Sequence, residues 1–112
     1  MDRSQYPDLI HTILHNLAEC YVDPTQEQVE TELLLDDARG NYALLDIGWT
    51  DDERVMRHYV YVRLKNGKFW IEEDWTEDGI VTHLESAGVP HDDIVLAINP
   101  PEVRELTGFA VA

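Results

Sequence analysis

The dipeptide Asn66-Gly67 stands between two runs that alternate like pleated strands, and it constrains this chain more than any other feature. Asn-Gly is the preferred two-residue loop of a β-hairpin, because both residues tolerate the positive φ that matches the twist of the flanking strands. It predicts strands over residues 55–65 and 68–73 and sets their register: Lys65 opposite Lys68, Leu64 opposite Phe69, Arg63 opposite Trp70, Val62 opposite Ile71, Tyr61 opposite Glu72. Directly opposed residues share a face, so Val60, Val62, Leu64, Phe69 and Ile71 are expected inside. Strict alternation puts Arg57, Tyr59, Tyr61, Arg63 and Trp70 outside. Tyrosine, tryptophan and arginine are enriched at protein interfaces. These five residues therefore form a candidate interaction face, for a homodimer or for another protein; the alternative is a solvated aromatic face with Arg63 stacked on Trp70.

Upstream, Tyr6, Leu9, Ile10, Ile13, Leu14, Leu17 and Tyr21 recur at helical spacing, with Pro7 near the start. Asp23-Pro24-Thr25-Gln26 reads as a turn. Val29, Thr31, Leu33 and Leu35 then alternate with Glu30, Glu32 and Leu34, and Ala43, Leu45, Ile47 and Trp49 share one face of a second strand. The connection between them at 36–41, containing Gly40, is short, so the two should pair antiparallel.

Downstream, Asp74 and Glu77 are spaced as a capping box before Ile80, Val81, Leu84 and Ala87, and Gly88 with Pro90 stops that helix. Residues 94–98 form a short apolar run fit for a buried strand, and Pro100-Pro101 starts a last helix through Leu106. The expected fold is α+β: an antiparallel four-stranded β-meander with helices packed on one face and a C-terminal strand-helix segment, one domain over 1–112.

Eight basic residues against 23 acidic ones give a net charge of −15. Phosphate backbones repel such a surface, so direct nucleic-acid binding is disfavoured, and the charge suits either a well-solvated acidic protein or a basic partner. The single Cys20 forms no internal disulfide, the first residues do not resemble a signal peptide, and no apolar run has the length of a membrane span, so a cytoplasmic setting is expected.

Catalytic signals are weak. His11 and His15 are four apart, yet no glutamate sits between them as in the zincin pattern, and both are expected in solvent. Cys20 follows Glu19 at a helix C-terminus, where the dipole blunts a thiol. Glu72, Glu73, Asp74, Glu77 and Asp78 are spaced as helix-start acids, and Asp92-Asp93 as a turn. No catalytic residue, metal or cofactor is expected. The alternatives are a small metal-dependent nuclease or hydrolase using the acids from Glu72 to Asp78, or an accessory factor binding DNA through Arg57, Arg63 and the aromatic stripe.

The strings Trp70-Ile71, Asp74-Trp75-Thr76-Glu77-Asp78-Gly79-Ile80, Gly88-Val89-Pro90, Asp93-Ile94-Val95-Leu96, Pro101-Glu102-Val103-Arg104 and Phe109-Ala110-Val111-Ala112 resemble the signature of the XisI family, and weaker similarity continues upstream. Asp74, Thr76, Glu77, Gly79, Gly88, Pro90 and Arg104 carry the motif, while Ile98-Asn99 and Leu106 depart from it. The resemblance implies a non-enzymatic controlling factor of cyanobacterial heterocyst development. Such a factor is needed, with a XisH-like partner of nuclease fold and a site-specific recombinase, for excision of the fdxN type of DNA element.

Overall fold

The structure, a computed structural model, describes residues 2–20 and 28–112. Helix α1 (Tyr6–Cys20) buries Tyr6, Ile10, Ile13 and Leu14, the apolar arc expected of it. Tyr21 and the turn expected at 23–26 lie outside the described residues. Four strands follow in an antiparallel meander: β1 (Val29–Asp36), β2 (Asn41–Thr50), β3 (Glu53–Lys65) and β4 (Lys68–Asp74). Asn66 and Gly67 take φ of 56° and 73°, as the hairpin turn requires. Helix α2 (Ile80–Ser86) crosses back, and β5 (Ile94–Val95) adds to β4 in parallel, giving the order β1-β2-β3-β4-β5. Gly88, at φ 96°, ends α2 where a side chain would be strained. Helix α3 (Pro101–Arg104) has its proline in the first turn and stops short of the expected Leu106. Among the described residues no helix is long and apolar enough to cross a membrane.

Ile10 and Leu14 of α1 and Ile80 and Leu84 of α2 join Tyr42, Leu44, Val60, Val62, Phe69 and Ile71 in one core cluster, so both helices cover the same face. The hairpin register holds from Lys65↔Lys68 to Val62↔Ile71 and then slips, because Glu72 is bulged out. Tyr61 consequently opposes Glu73 instead of Glu72.

A second bulge changes the faces. Leu44 pairs with Val60 but Leu45 pairs with His58, which leaves Tyr59 as an extra residue in β3. One inserted residue inverts the alternation of everything before it. Tyr59 is 2% exposed within the core cluster and leaves the expected interaction face. Arg57 opposes Asp46, on the side of Tyr42 and Leu44, and its Nη2 donates to Asp46 Oδ2 at 3.0 Å. Arg57 is thus also displaced, and His58 and Met56 take the outward positions.

Asp93, expected in a surface turn, is 5% exposed. Its carboxylate accepts from Arg3 Nη2 at 2.6 Å and Nε at 3.2 Å, and from the Tyr6 hydroxyl at 2.6 Å. Three donors offset the desolvation of the charge and fasten the chain's first turn to the start of β5. Arg3 holds the Asp93 carboxyl below the usual carboxylate range, against the opposing effect of burial. Burial, then the bond to Asp93, pushes the Tyr6 phenol up to about 12.

Because the folded pKa of Asp93 is lowered, its stabilisation is complete above about pH 4 and is lost as pH falls through the folded value. That of Tyr6, whose folded pKa is raised, is complete below about pH 10 and is lost on rising towards 12. Denaturant titrations across pH should show both flanks, and Asp93→Asn should flatten the acid one. Tyr6→Phe removes one buried bond to a charged group and should destabilise by about 1.5 kcal/mol in urea unfolding.

Candidate functional site

The face of β1 to β3 opposite the helices carries the candidate site. Opposed residues share a face and alternate along each strand, so this side bears Glu30, Glu32, Leu34 and Asp36 from β1, and Asn41, Ala43, Leu45, Ile47 and Trp49 from β2. From β3 it bears Arg54, Met56 and His58, then beyond the bulge Tyr61, Arg63 and Lys65. The result is three stripes: acidic on β1, mostly apolar on β2, basic and aromatic on β3. Leu34, Trp49 and Met56 are 52%, 49% and 61% exposed, while Ala43 and Leu45 of the middle strand are buried.

Local contacts hold the stripes in place. Tyr61 donates its hydroxyl to Asn41 Oδ1 at 3.0 Å and stacks on His58 at 6.0 Å between centroids. Arg54 lies 5.7 Å from the Trp49 ring. Between Leu34, Ala43, His58 and Tyr61 runs a groove of about 510 Å³.

Of the five residues expected on this face, Tyr61, Arg63 and Trp70 lie on the outer side, while Tyr59 and Arg57 do not. Arg63 also does not stack on Trp70. Its Nη1 sits 4.0 Å from Glu72, and the Trp70 ring is flanked by Lys65 Nζ at 4.8 Å and by the Arg104 guanidinium at 5.6 Å. Leu34, Met56 and His58 were missed. The triplet Leu33-Leu34-Leu35 was a visible signal for the first, whereas nothing in the alternation announces the bulge that turns the other two outward.

The motif residues are structural where they make contacts. Asp74 does cap α2, but from six residues upstream. Its Oδ2 accepts the Ile80 N–H at 2.8 Å and its Oδ1 accepts from the Thr76 backbone at 3.0 Å, while Gly79 occupies the N-cap position itself. Glu77 and Asp78 are exposed, as is Pro90. Arg104 donates to three carbonyls, Asn99 at 3.0 Å, Ala97 at 3.3 Å and Val111 at 3.5 Å, and so folds the C-terminal segment over Trp70.

Acidic clusters are drawn apart. Glu73 accepts from Trp75 Nε1 at 3.0 Å, Glu72 faces Arg63, and Asp74 is committed to the helix start. Among the described residues no three His, Cys, Asp or Glu side chains come together as a metal site. His11, expected in solvent, instead sits 2.8 Å from Asp37, which also accepts the Tyr42 hydroxyl. Tyr42, then His11, lower the Asp37 pKa, and burial raises that of Tyr42.

The family model for XisI protein matches residues 1–111. The chain belongs to the XisI family. Its fold is that of a XisI-like protein from Anabaena variabilis, with a TM-score of 0.92 and 32% identity over 99% of this chain and 100% of that one. The fdxN element excision controlling factor XisI from Anabaena variabilis matches at a TM-score of 0.86 and 35% identity, again over 99% and 100% of the two chains. No curated protein matches. The α+β class and the resemblance read from the motif strings both stand.

Asp74→Ala in this XisI-family chain should lower stability by about 1 kcal/mol, the effect of a lost cap. Thermal unfolding followed by circular dichroism checks it, and an unchanged midpoint would show that Ile80 N–H is satisfied without the carboxylate.

Proposed function

We propose that this chain is a non-enzymatic controlling factor for excision of a DNA element, working by contact with a XisH-like protein of nuclease fold and, through it, a site-specific recombinase. The observation that carries this reading is the end-to-end match, in fold and at 35% identity, to an fdxN element excision controlling factor. The mode of contact follows from charge. With −15 on 112 residues, the chain repels phosphate backbones and suits a protein surface built to receive them. Its exposed carboxylates, among them Glu77, Asp78 and Asp92, occupy the DNA-facing surface of the partner. Work in the cytoplasm of a differentiating heterocyst agrees with the exposed, unpaired Cys20, which a reducing compartment keeps as a thiol.

Co-expression with the XisH-like protein encoded in the same host should give a complex that survives purification at low salt. Raising salt to about 1 M, where the Debye length is ~3 Å, should dissociate it. The triple change Glu77→Lys, Asp78→Lys and Asp92→Lys should weaken it without altering the thermal midpoint by more than a few degrees. A complex indifferent to both treatments would remove the electrostatic mode, and no complex at all would remove the reading.

A further inference from the structure

The three stripes of the outer sheet face are arranged to match themselves. We infer that two copies of this chain pack these faces together about a two-fold axis running along β2. Such an axis leaves β2 on its own copy and lays β1 of one chain over β3 of the other, twice. The acidic stripe of Glu30, Glu32 and Asp36 then lies over Met56, His58 and Arg63 of the basic and aromatic stripe, with Arg54 one row from Glu30 and Lys65 one row from Asp36, and with Ile47 and Trp49 between the stripes. Rows run straight across: Asp36 and Arg63 both flank Asn41, Leu34 and Tyr61 both flank Ala43, and Glu32 and His58 both flank Leu45. Rotation about β2 keeps each row level, so Asp36 comes over Arg63 and Leu34 over Tyr61. The groove above Ala43 receives the exposed Leu34 of the other copy.

Other arrangements of two copies fail on charge. An axis across the strands sets β1 over β1, acid on acid. Pairing through the outer edge of β1 fares no better. Trp49 N–H donates to Gln28, which makes the even-numbered residues of β1 bond to β2 and turns the N–H and C=O of Val29, Thr31, Leu33 and Leu35 to the edge. Antiparallel registers centred on Thr31, Glu32, Leu33 or Leu34 then oppose, in turn, Glu30 to Glu32, Glu32 to itself, Glu30 to Asp36, and Glu32 to Asp36. Like charges directly opposed are destabilising.

The area is that of a weak, transient dimer. Three strands ~4.8 Å apart and about ten residues long present a face of roughly 14 by 33 Å, so the pair covers about 900 Å² in projection, before side-chain relief is added. Specific pairs start near 1,200 Å² of accessible surface, so the dimer should be concentration-dependent.

Sedimentation velocity on the full chain tests this with two complementary variants. E30K/E32K makes the acidic stripe basic at its Glu30 end, and R54E reverses the cation one row from Glu30 while leaving Arg63 to face Asp36; both change outer-face side chains and leave the core intact. Wild type should dimerise, each variant alone should raise the dimer dissociation constant by at least about tenfold, and an equimolar mixture should recover a heterodimer. Leu34→Lys should weaken association in the same assay while keeping the wild-type circular dichroism spectrum. Wild type remaining monomeric at about 1 mM, variants that dimerise as well as wild type, or a mixture that stays monomeric would each overturn the inference.

Discussion

Covering a sheet on one side leaves the other side to be defined by register, and here the register turns on the bulge at Tyr59. The ring enters the helix-covered core at 2% exposure, filling space beside Tyr42 and Val60. The same insertion carries Arg57 to the core side, where Asp46 accepts its guanidinium, and turns Met56 and His58 out. Burial of a large aromatic ring is worth roughly 2 kcal/mol or more. The bulge is therefore held by the core, and the composition of the outer face follows from the packing of the inner one.

The same separation explains what the residues disclosed by themselves. Chemistry confined to a few neighbours was legible. Asn66-Gly67 gave the hairpin, the spacing of Tyr6, Ile10, Ile13 and Leu14 gave α1, and Gly88-Pro90 ended α2. Period-two patterning placed Val60, Val62, Phe69 and Ile71 in the core, and the family strings gave the fold class. Contacts between distant parts of the chain were not legible. Asp93 resembles any aspartate in an acidic turn, and Arg3 and Tyr6, which satisfy it, lie 90 and 87 positions away. The bulges are likewise set by side-chain volume across strands, for which alternation carries no mark. Two of the five residues expected on the candidate face, Tyr59 and Arg57, were misassigned because they lie at or beyond one of them.

Net charge is a poor guide to what such a face can meet. Two copies carrying −15 each repel as wholes. With a radius of gyration of 14.8 Å, however, their centres stay far beyond the screening distance, ~8 Å at physiological salt. Within a face-to-face contact the relevant separations are a few ångströms, inside that length, and there the stripes decide. On the outer side β1 contributes Glu30, Glu32 and Asp36, and β3 contributes Arg54, Arg63 and Lys65, so this face is neutral within a strongly acidic protein. Neighbouring strands are ~4.8 Å apart, which puts the two stripes about 10 Å from each other and lets them act as separate charges instead of cancelling. The remaining acidic excess lies away from this face. The outer face of β1 to β3 is therefore balanced in charge and patterned in stripes, while the carboxylates elsewhere carry the net charge.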